Sequence, residues 1–576
     1  MKVLSLSLCI AMVSAWPWPL ERRQANSAIG ATAFRRRGGH SSTVLGKFVY
    51  IDGGEFSYKN IDANVTTQYS NTLIAIDLSK DWTNSTVTLQ SISKPSGVPN
   101  LVSQGGLWTD AEQTTLYTGF GGRGSAFGDA KPQWHGLWSF KPDNSGSGTW
   151  TNMNDTATVF QSQNRPWNPA VTSGDGMGYA LGGFGAVDGS NNGDAFKIPA
   201  PGLLVYNMTT HDLANKTVTP SVLSSGTIQG GALHFVPNFG PRGLLVQIGG
   251  EQVGAKSQFP DIGQVQVYDP ASDSWYTQST TGNMPSNRKE FCIAGVASTN
   301  ETYEILVYGG WGGNLGARAI PYDEAYVLSL PGFNWFKAPY PASNPRHALT
   351  CHHVGGGQVL TIGGLNTAVE VKLYPYWEPF NLQDNFAQGL GVFDMKTMSW
   401  QSGYKADGGE YASPDVVQNF YSDNGPIPKA LSQDLKTLFG IKRFSSATNA
   451  TSSGTGPGTG SSGSKGGSGS SSNSNGGISE SSSSSGLSPG AIAGIVVGVV
   501  LGLILLAALA FMMIRRRRAR RVAGAGAAAP DGGPAYQGVV EAPGESAKYE
   551  MPGDGVVYAG AAPAKQRREG EFHELE

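Results

Sequence analysis

A short β-rich run that ends in two glycines recurs six times between residues 48 and 364. The runs are FVYIDGG (48–54), LYTGFGG (116–122), YALGG (179–183), LLVQIGG (244–250), ILVYGG (305–310) and VLTIGG (359–364). Their last glycines stand 54 to 68 residues apart. A repeat of this length marks an architecture built from supersecondary units. Each unit cannot bury its own apolar faces and must stack on its neighbours.

After each run comes a variable stretch, then a second apolar strand that usually leads to a tryptophan. These pieces are LIAIDLSKDW (73–82), LWSFKPDNSGSGTW (137–150), LLVYNMTTHDL (203–213), VQVYDPASDSW (265–275), AYVLSLPGFNW (325–335) and LGVFDMKTMSW (390–400). The third copy carries Leu213 in place of the tryptophan. β-Branched and aromatic runs suit buried strands. Paired glycines end a strand where the backbone is crowded and must bend. Sheets packed radially can bury both faces of each sheet and leave only short edges.

In this pattern the chain resembles the kelch-repeat β-propellers. Arginines in RGGHSST (37–43), NRKEFC (287–292) and NPRHALTC (344–351) look like the kelch first strand. The resemblance covers roughly residues 34–401 and implies an all-β propeller of six four-stranded blades. A seventh blade is left open, and residues 24–34 or 401–425 are candidates to complete the last blade. The chain as a whole is similar to the single-pass kelch-repeat membrane proteins of filamentous fungi. RHALTCHHVGGGQVLTIGG (346–364), QGLGVFDMKTMSW (388–400) and YASPDVVQNFY (411–421) carry that narrower likeness.

The flanks of the repeat region predict topology. Residues 1–15 read as a signal peptide, with Lys2 before an apolar stretch at 3–13 and small residues up to Ala15. Residues 491–514 hold no charge. As a helix they would be about 36 Å long, enough for a hydrocarbon core of about 30 Å. The run RRRRARR (515–521) follows at once and places the C-terminus in the cytoplasm. The expected layout is a propeller ectodomain at 24–440, a Ser/Gly-rich stalk at 441–489, a transmembrane helix at 490–514 and a disordered tail at 515–576. Localisation at the plasma membrane or another secretory-pathway membrane follows. Gly490, Gly494, Gly498 and Gly502 share one helix face and could bring two membrane helices together as a homodimer.

An oxidising, glycosylating compartment is consistent with the remaining signals. Acceptor sequons stand at Asn64, Asn84, Asn154, Asn207, Asn215, Asn300 and Asn449. Cys9 leaves with the signal, so Cys292 and Cys351 are a candidate disulfide, with two free buried thiols as the alternative. The formal net charge is −2, which argues against a nucleic-acid partner.

No catalytic, cofactor or metal residues are assigned from the sequence. A copper oxidase similar to galactose oxidase would need two His, two Tyr and a Cys cross-linked to one Tyr. His352 and His353 are adjacent on a strand and point to opposite faces. SGSGTW (145–150) lacks the Asp of a sialidase box, and GFGGRG (119–124) ends a strand instead of opening a helix. An extracellular oxidase or glycan hydrolase is the alternative to the main reading. That reading is a cell-surface module for protein or glycan binding or adhesion. Loops on a rigid scaffold commonly carry recognition. The insertions at 120–136, 184–197 and 311–324 each follow a double glycine and should share one face. Phe127, Trp134, Trp311 and Arg318 are the candidate ligand contacts.

Overall fold

The structure is a computed structural model. It describes residues 28–444 except 60–66, 71, 96, 99–104, 120–136, 154–165, 187–196, 219–222, 224–226, 254–257, 314–318, 320–321, 370–377 and 428–430. The signal, the membrane run with its glycines and the tail lie outside the described residues. So does the stalk apart from its first residues, 441–444. Among the described residues no helix is long and apolar enough to cross a membrane.

Six antiparallel meanders succeed one another along the described chain. Blade 1 comprises Ser41–Leu45, Phe48–Asp52, Thr72–Asp77 and Gln90–Ser93. Blade 2 comprises Leu107–Thr109, Leu116–Thr118, Trp138–Pro142 and Gly148–Asn152. Blade 3 comprises Ala170–Gly174, Met177–Leu181, Leu203–Asn207 and Leu213–Lys216. Blade 4 comprises Ala232–Val236, Leu244–Ile248, Gln264–Asp269 and Ser274–Ser279. Blade 5 comprises Cys292–Ala297, Tyr303–Tyr308, Ala325–Leu330 and Asn334–Lys337, with Thr281–Gly282 added in parallel. Blade 6 comprises Arg346–Gly355, Gln358–Asn366, Leu390–Asp394 and Ser399–Gln401.

The two faces of each blade serve two different seams. In blade 1, Phe48 and Tyr50 pack with Leu107, Leu116 and Phe140 of blade 2. The alternate residues Val49 and Ile51 pack with Val354, Leu360 and Ile362 of blade 6. This use of period 2 explains why the strands read as unbroken apolar runs. The seam between blades 6 and 1 closes the ring, so the described chain is a six-bladed propeller. The seventh blade that the sequence left open has no place in it.

Tryptophans near the outer strands fill these seams. Trp335 is fully buried between blades 4 and 5, and its indole N–H donates to Thr280 Oγ1 (2.9 Å). Trp400 meets Tyr308 of blade 5 with ring centroids 4.9 Å apart. Leu213 packs at the seam of blades 2 and 3 where the repeat lacks its tryptophan.

The chain ends do not complete blade 6. Phe34–Gly38 pairs with Glu55–Tyr58, beyond the double glycine of blade 1. Gly403–Tyr404 pairs with Trp82–Thr83. Blade 6 draws all four of its strands from one continuous stretch, so it has no vacant edge for a terminus to fill. A short helix α1 (Glu378–Asn381) lies in the blade 6 loop. Helices α2 (Asp415–Asn424) and α3 (Gln433–Gly440) follow the ring, and pairing continues past residue 440, to Arg443.

Candidate functional site

The first strand of every blade lines a central channel and runs away from one mouth. The second strand returns toward the double glycine, so the described residues that follow the double glycines stand around that mouth. Gly309 and Gly310 show why glycine is required there. Their φ values are 77° and 107°, and a Cβ on Gly309 would lie 2.7 Å from Arg346 O. The Gly310 N–H donates to Arg346 O (2.7 Å), and Gly250 N–H likewise donates to Arg288 O (2.8 Å). With Gly183 N–H donating to Ile228 O (2.6 Å), the double glycines of blades 3, 4 and 5 are thereby stitched to the next blade.

The motif arginines complete the stitch from within their own blades. Arg288 Nη1 donates to Gly309 O (2.9 Å) and Arg346 Nη1 to Gly363 O (3.1 Å). Arg37 Nη1 reaches Gly53 O at 3.4 Å. Arg346 also pairs with Asp384 (3.1 Å) and lies over the Phe386 ring. Burial pushes the Arg288 guanidinium down to about 10, and the rings of Tyr322 and Tyr326 lie beside it.

Two residues after each of these arginines the backbone turns left-handed. Gly39, Glu290 and Ala348 have φ of 66°, 56° and 55°, and Asn168 and Gly230 match them at 53° and 59°. Their peptides form a chain of hydrogen bonds around the mouth. Gly230 N–H donates to Asn168 O (2.9 Å), Glu290 N–H to Gly230 O (2.7 Å), Ala348 N–H to Glu290 O (2.8 Å) and Gly39 N–H to Ala348 O (3.1 Å). Five blades are linked in this way, and the corresponding segment of blade 2 lies outside the described residues. Left-handed Asn, Glu and Ala each cost of order 1 kcal/mol, so tertiary bonding must hold them. The mouth is therefore a rigid rim.

Within the channel a cavity of about 200 Å³ is lined by residues of all six first strands. A polar chain crosses the closing seam there. His40 Nε2 lies 2.9 Å from Thr350 Oγ1, which accepts from Ser42 Oγ at 2.5 Å, and Ser42 Oγ lies 2.7 Å from His352 Nε2. His234 Nε2 meets the Tyr303 hydroxyl at 2.8 Å. Burial pushes His234 and His352 down to about 4 and His40 well below the ordinary imidazole range. These imidazoles are neutral. Ser42 and His352 have the spacing of a nucleophile and base, but no carboxylate among the described contacts stabilises an imidazolium at His352.

Among the described residues no three His, Cys, Asp or Glu side chains converge as a metal-binding set. His352 faces Ser42, while the His353 ring accepts the N–H of Gly357 (3.3 Å) in its own turn. Cys292 and Cys351 are bonded to each other, with Cα atoms 5.3 Å apart. Their sulfurs join the first strands of blades 5 and 6. Neither is available for the Tyr cross-link that a galactose-oxidase-like site needs.

No family model matches the chain. A kelch repeat-containing protein of Arthroderma benhamiae is 22% identical over 421 residues, which cover 66% of this chain. The six blades and the stitched double glycines agree with this likeness. The chain is a kelch-repeat β-propeller. It spans 59% of the length of the curated relative it matches.

On this kelch propeller, Trp311 stands at the rim of the mouth. Its backbone pairs with Lys289 through two hydrogen bonds (2.9 and 2.8 Å). The Lys289 ammonium lies 4.6 Å from the centre of the Trp311 ring and is ion-paired with Glu251. Gln229 Nε2 also donates to Glu251 (2.7 Å). The indole N–H of Trp311 has no hydrogen-bond partner among the described residues. Asn168 Nδ2 reaches Glu290 Oε1 at 3.4 Å on the same rim. The Trp311 ring is thus held in place and half-buried, and Lys289, Glu251 and Gln229 are buried and bonded to one another. Phe127, Trp134 and Arg318 lie outside the described residues.

The sequon asparagines occupy different settings. Asn215 and Asn300 are exposed. Asn84 is half-buried, and its amide donates to Leu390 O (3.1 Å). Asn207 is half-buried and accepts the N–H groups of Thr209 and Thr210. Asn64, Asn154 and Asn449 lie outside the described residues. Sequence reasoning found the arginines and double glycines of the rim but missed its left-handed residues. Residue type gives no such signal for Glu290 or Ala348.

Proposed function

We propose that this chain is a single-pass, type I cell-surface glycoprotein whose kelch propeller binds a protein or glycan through the loops around the channel mouth. One observation supports this most. The second strands lead into their long loops at a rim made rigid by inter-blade hydrogen bonds, and Trp311 stands on it beside buried polar pairs. Rigid scaffolds with variable loops favour recognition, because little ordering accompanies binding.

The membrane part of the reading rests on the apolar run 491–514 and the basic run after it. Asn215 and Asn300 are the acceptors best placed to carry glycans. The glycines at 490, 494, 498 and 502 would allow two membrane helices to pair.

The reading is tested by probing arrays of immobilised glycans and secreted proteins with the purified region 24–444. It predicts saturable binding to a narrow class of ligands. A well-folded protein that binds nothing on either array would count against a recognition role.

A further inference from the structure

The chain does not leave the ring where the ring closes. After Gln401 it turns back across blades 6, 5 and 4 in that order. The Tyr404 hydroxyl donates to Leu78 O (3.0 Å) at the closing seam. Gly408 lies against the turn of blade 6, where a Cβ on Gly356 would be 2.3 Å from Gly408 Cα. Thr299 N–H donates to Tyr411 O (2.9 Å), and Ser413 bonds to Ser298 Oγ through both its N–H (2.9 Å) and its hydroxyl (2.8 Å).

The two helices continue the same path. In α2, Tyr421 accepts the Gly332 N–H (2.8 Å) and Phe420 meets Phe336 edge-on at 5.8 Å. In α3, Leu435, Leu438 and Phe439 enter the core between blades 4 and 5, with Phe439 at 4.9 Å from Phe239 and 5.3 Å from Phe333. Arg443 N–H then donates to Asn238 O (2.8 Å), and Phe444 packs on Phe239.

Apart from Phe336, on the fourth strand of blade 5, these partners belong to turns between first and second strands, or between third and fourth strands. First strands start at the rim, so both kinds of turn lie at the opposite end of the blades from the double glycines. We propose that residues 403–444 are an anchoring strap that fixes which face the propeller presents. The strap delivers the chain to the underside of blade 4 at Phe444, keeps off the rim along its described residues, and covers part of the underside of blades 4 to 6. The destination of the tether rests on the single-pass reading given above, whereas its exit point rests on the strap contacts alone.

Electron–electron spin distances in the full chain test this. One label goes at Ser446→Cys, paired with Pro241→Cys beneath blade 4 or with Asn385→Cys on the loop face. The 446–241 distances should be the shorter set. Equal or reversed distances would overturn the proposal. A Leu435→Asp/Phe439→Asp variant should free α3 and merge the two sets, while far-ultraviolet dichroism of the ring is retained. If that variant keeps the separation, α3 is not the anchor. An N-terminal epitope that antibodies cannot reach on intact cells would sink the surface-display reading and leave the strap's polarity standing.

Discussion

Gly309 and Glu304 sit near opposite ends of one buried strand and make opposite demands. At Gly309 the demand is space and a positive φ. Replacing it with Ala sets a methyl 2.7 Å from Arg346 O, on a backbone that L-residues avoid. A loss of at least about 2 kcal/mol is expected, read as a lowered urea midpoint. Gly313 also has positive φ, at 88°, but no atom of the described residues lies within 4 Å of its Cβ position. Gly313→Ala should cost only the backbone part, and equal losses at both sites would remove the steric argument. At Glu304 the demand is a proton. Its carboxyl is fully buried, accepts from Ser329 Oγ (2.8 Å) and joins none of the described ion pairs. Burial pushes it up to about 7, and the hydroxyls of Thr302, Ser413, Tyr411 and Ser329 oppose the rise. The native state then keeps a proton that the unfolded chain has released between about pH 4.5 and about pH 7. Stability is therefore full at the acid end of this window and falls as pH rises through it, by on the order of 3 kcal/mol at most. Urea midpoints at about pH 5 and about pH 8 should differ through this group in the wild type, and Glu304→Gln should flatten that difference. Parallel pH profiles for the two proteins would mean that the carboxyl is not the titrating group.

Strands and seams were the most legible elements. The six double-glycine runs fixed the second strands, because two seams per blade demand apolar residues on both faces. The arginine motifs marked the start of first strands. The helices α2 and α3 were not legible: 401–425, which holds α2, was a candidate to complete the last blade, and 433–440 carried no helix signal. Their apolar positions, such as Leu435 and Phe439, follow no repeat, and their partners lie about 100 to 200 residues earlier. The collar beyond the glycines, as in Ile228–Gln229 with Glu251–Gln252, also carries no sequence period. The disulfide was legible as a pair of cysteines, but its role as a tie between first strands of adjacent blades came only from the fold. It closes a loop with a sequence separation of 59. Cys292→Ser/Cys351→Ser should cost about 2–4 kcal/mol. The loss should show as faster hydrogen exchange in the first strands of blades 5 and 6. Unchanged exchange there, with loss elsewhere, would contradict a tie at this seam.

Across the whole molecule, one side is more strongly bound together than the other. Blades 4 to 6 share the strap, and blades 5 and 6 share the disulfide as well. Blades 6 and 1 are joined by apolar packing, by the chain from His40 to His352 and by the pairing of Gly403–Tyr404 with Trp82–Thr83. The ends of the channel differ in kind: a rim of loops above, and a partly covered underside below. The central claim is that recognition belongs to the rim. The direct measurement is the affinity of a ligand from the arrays for variants on the two faces. Trp311→Ala and Asn385→Ala alter the rim side, and Asp81→Ala and Lys396→Ala alter the underside. The account predicts a loss of about tenfold or more from at least one rim variant and little change from the underside pair. Loss confined to the underside variants, with the rim variants binding as the wild type does, would contradict it.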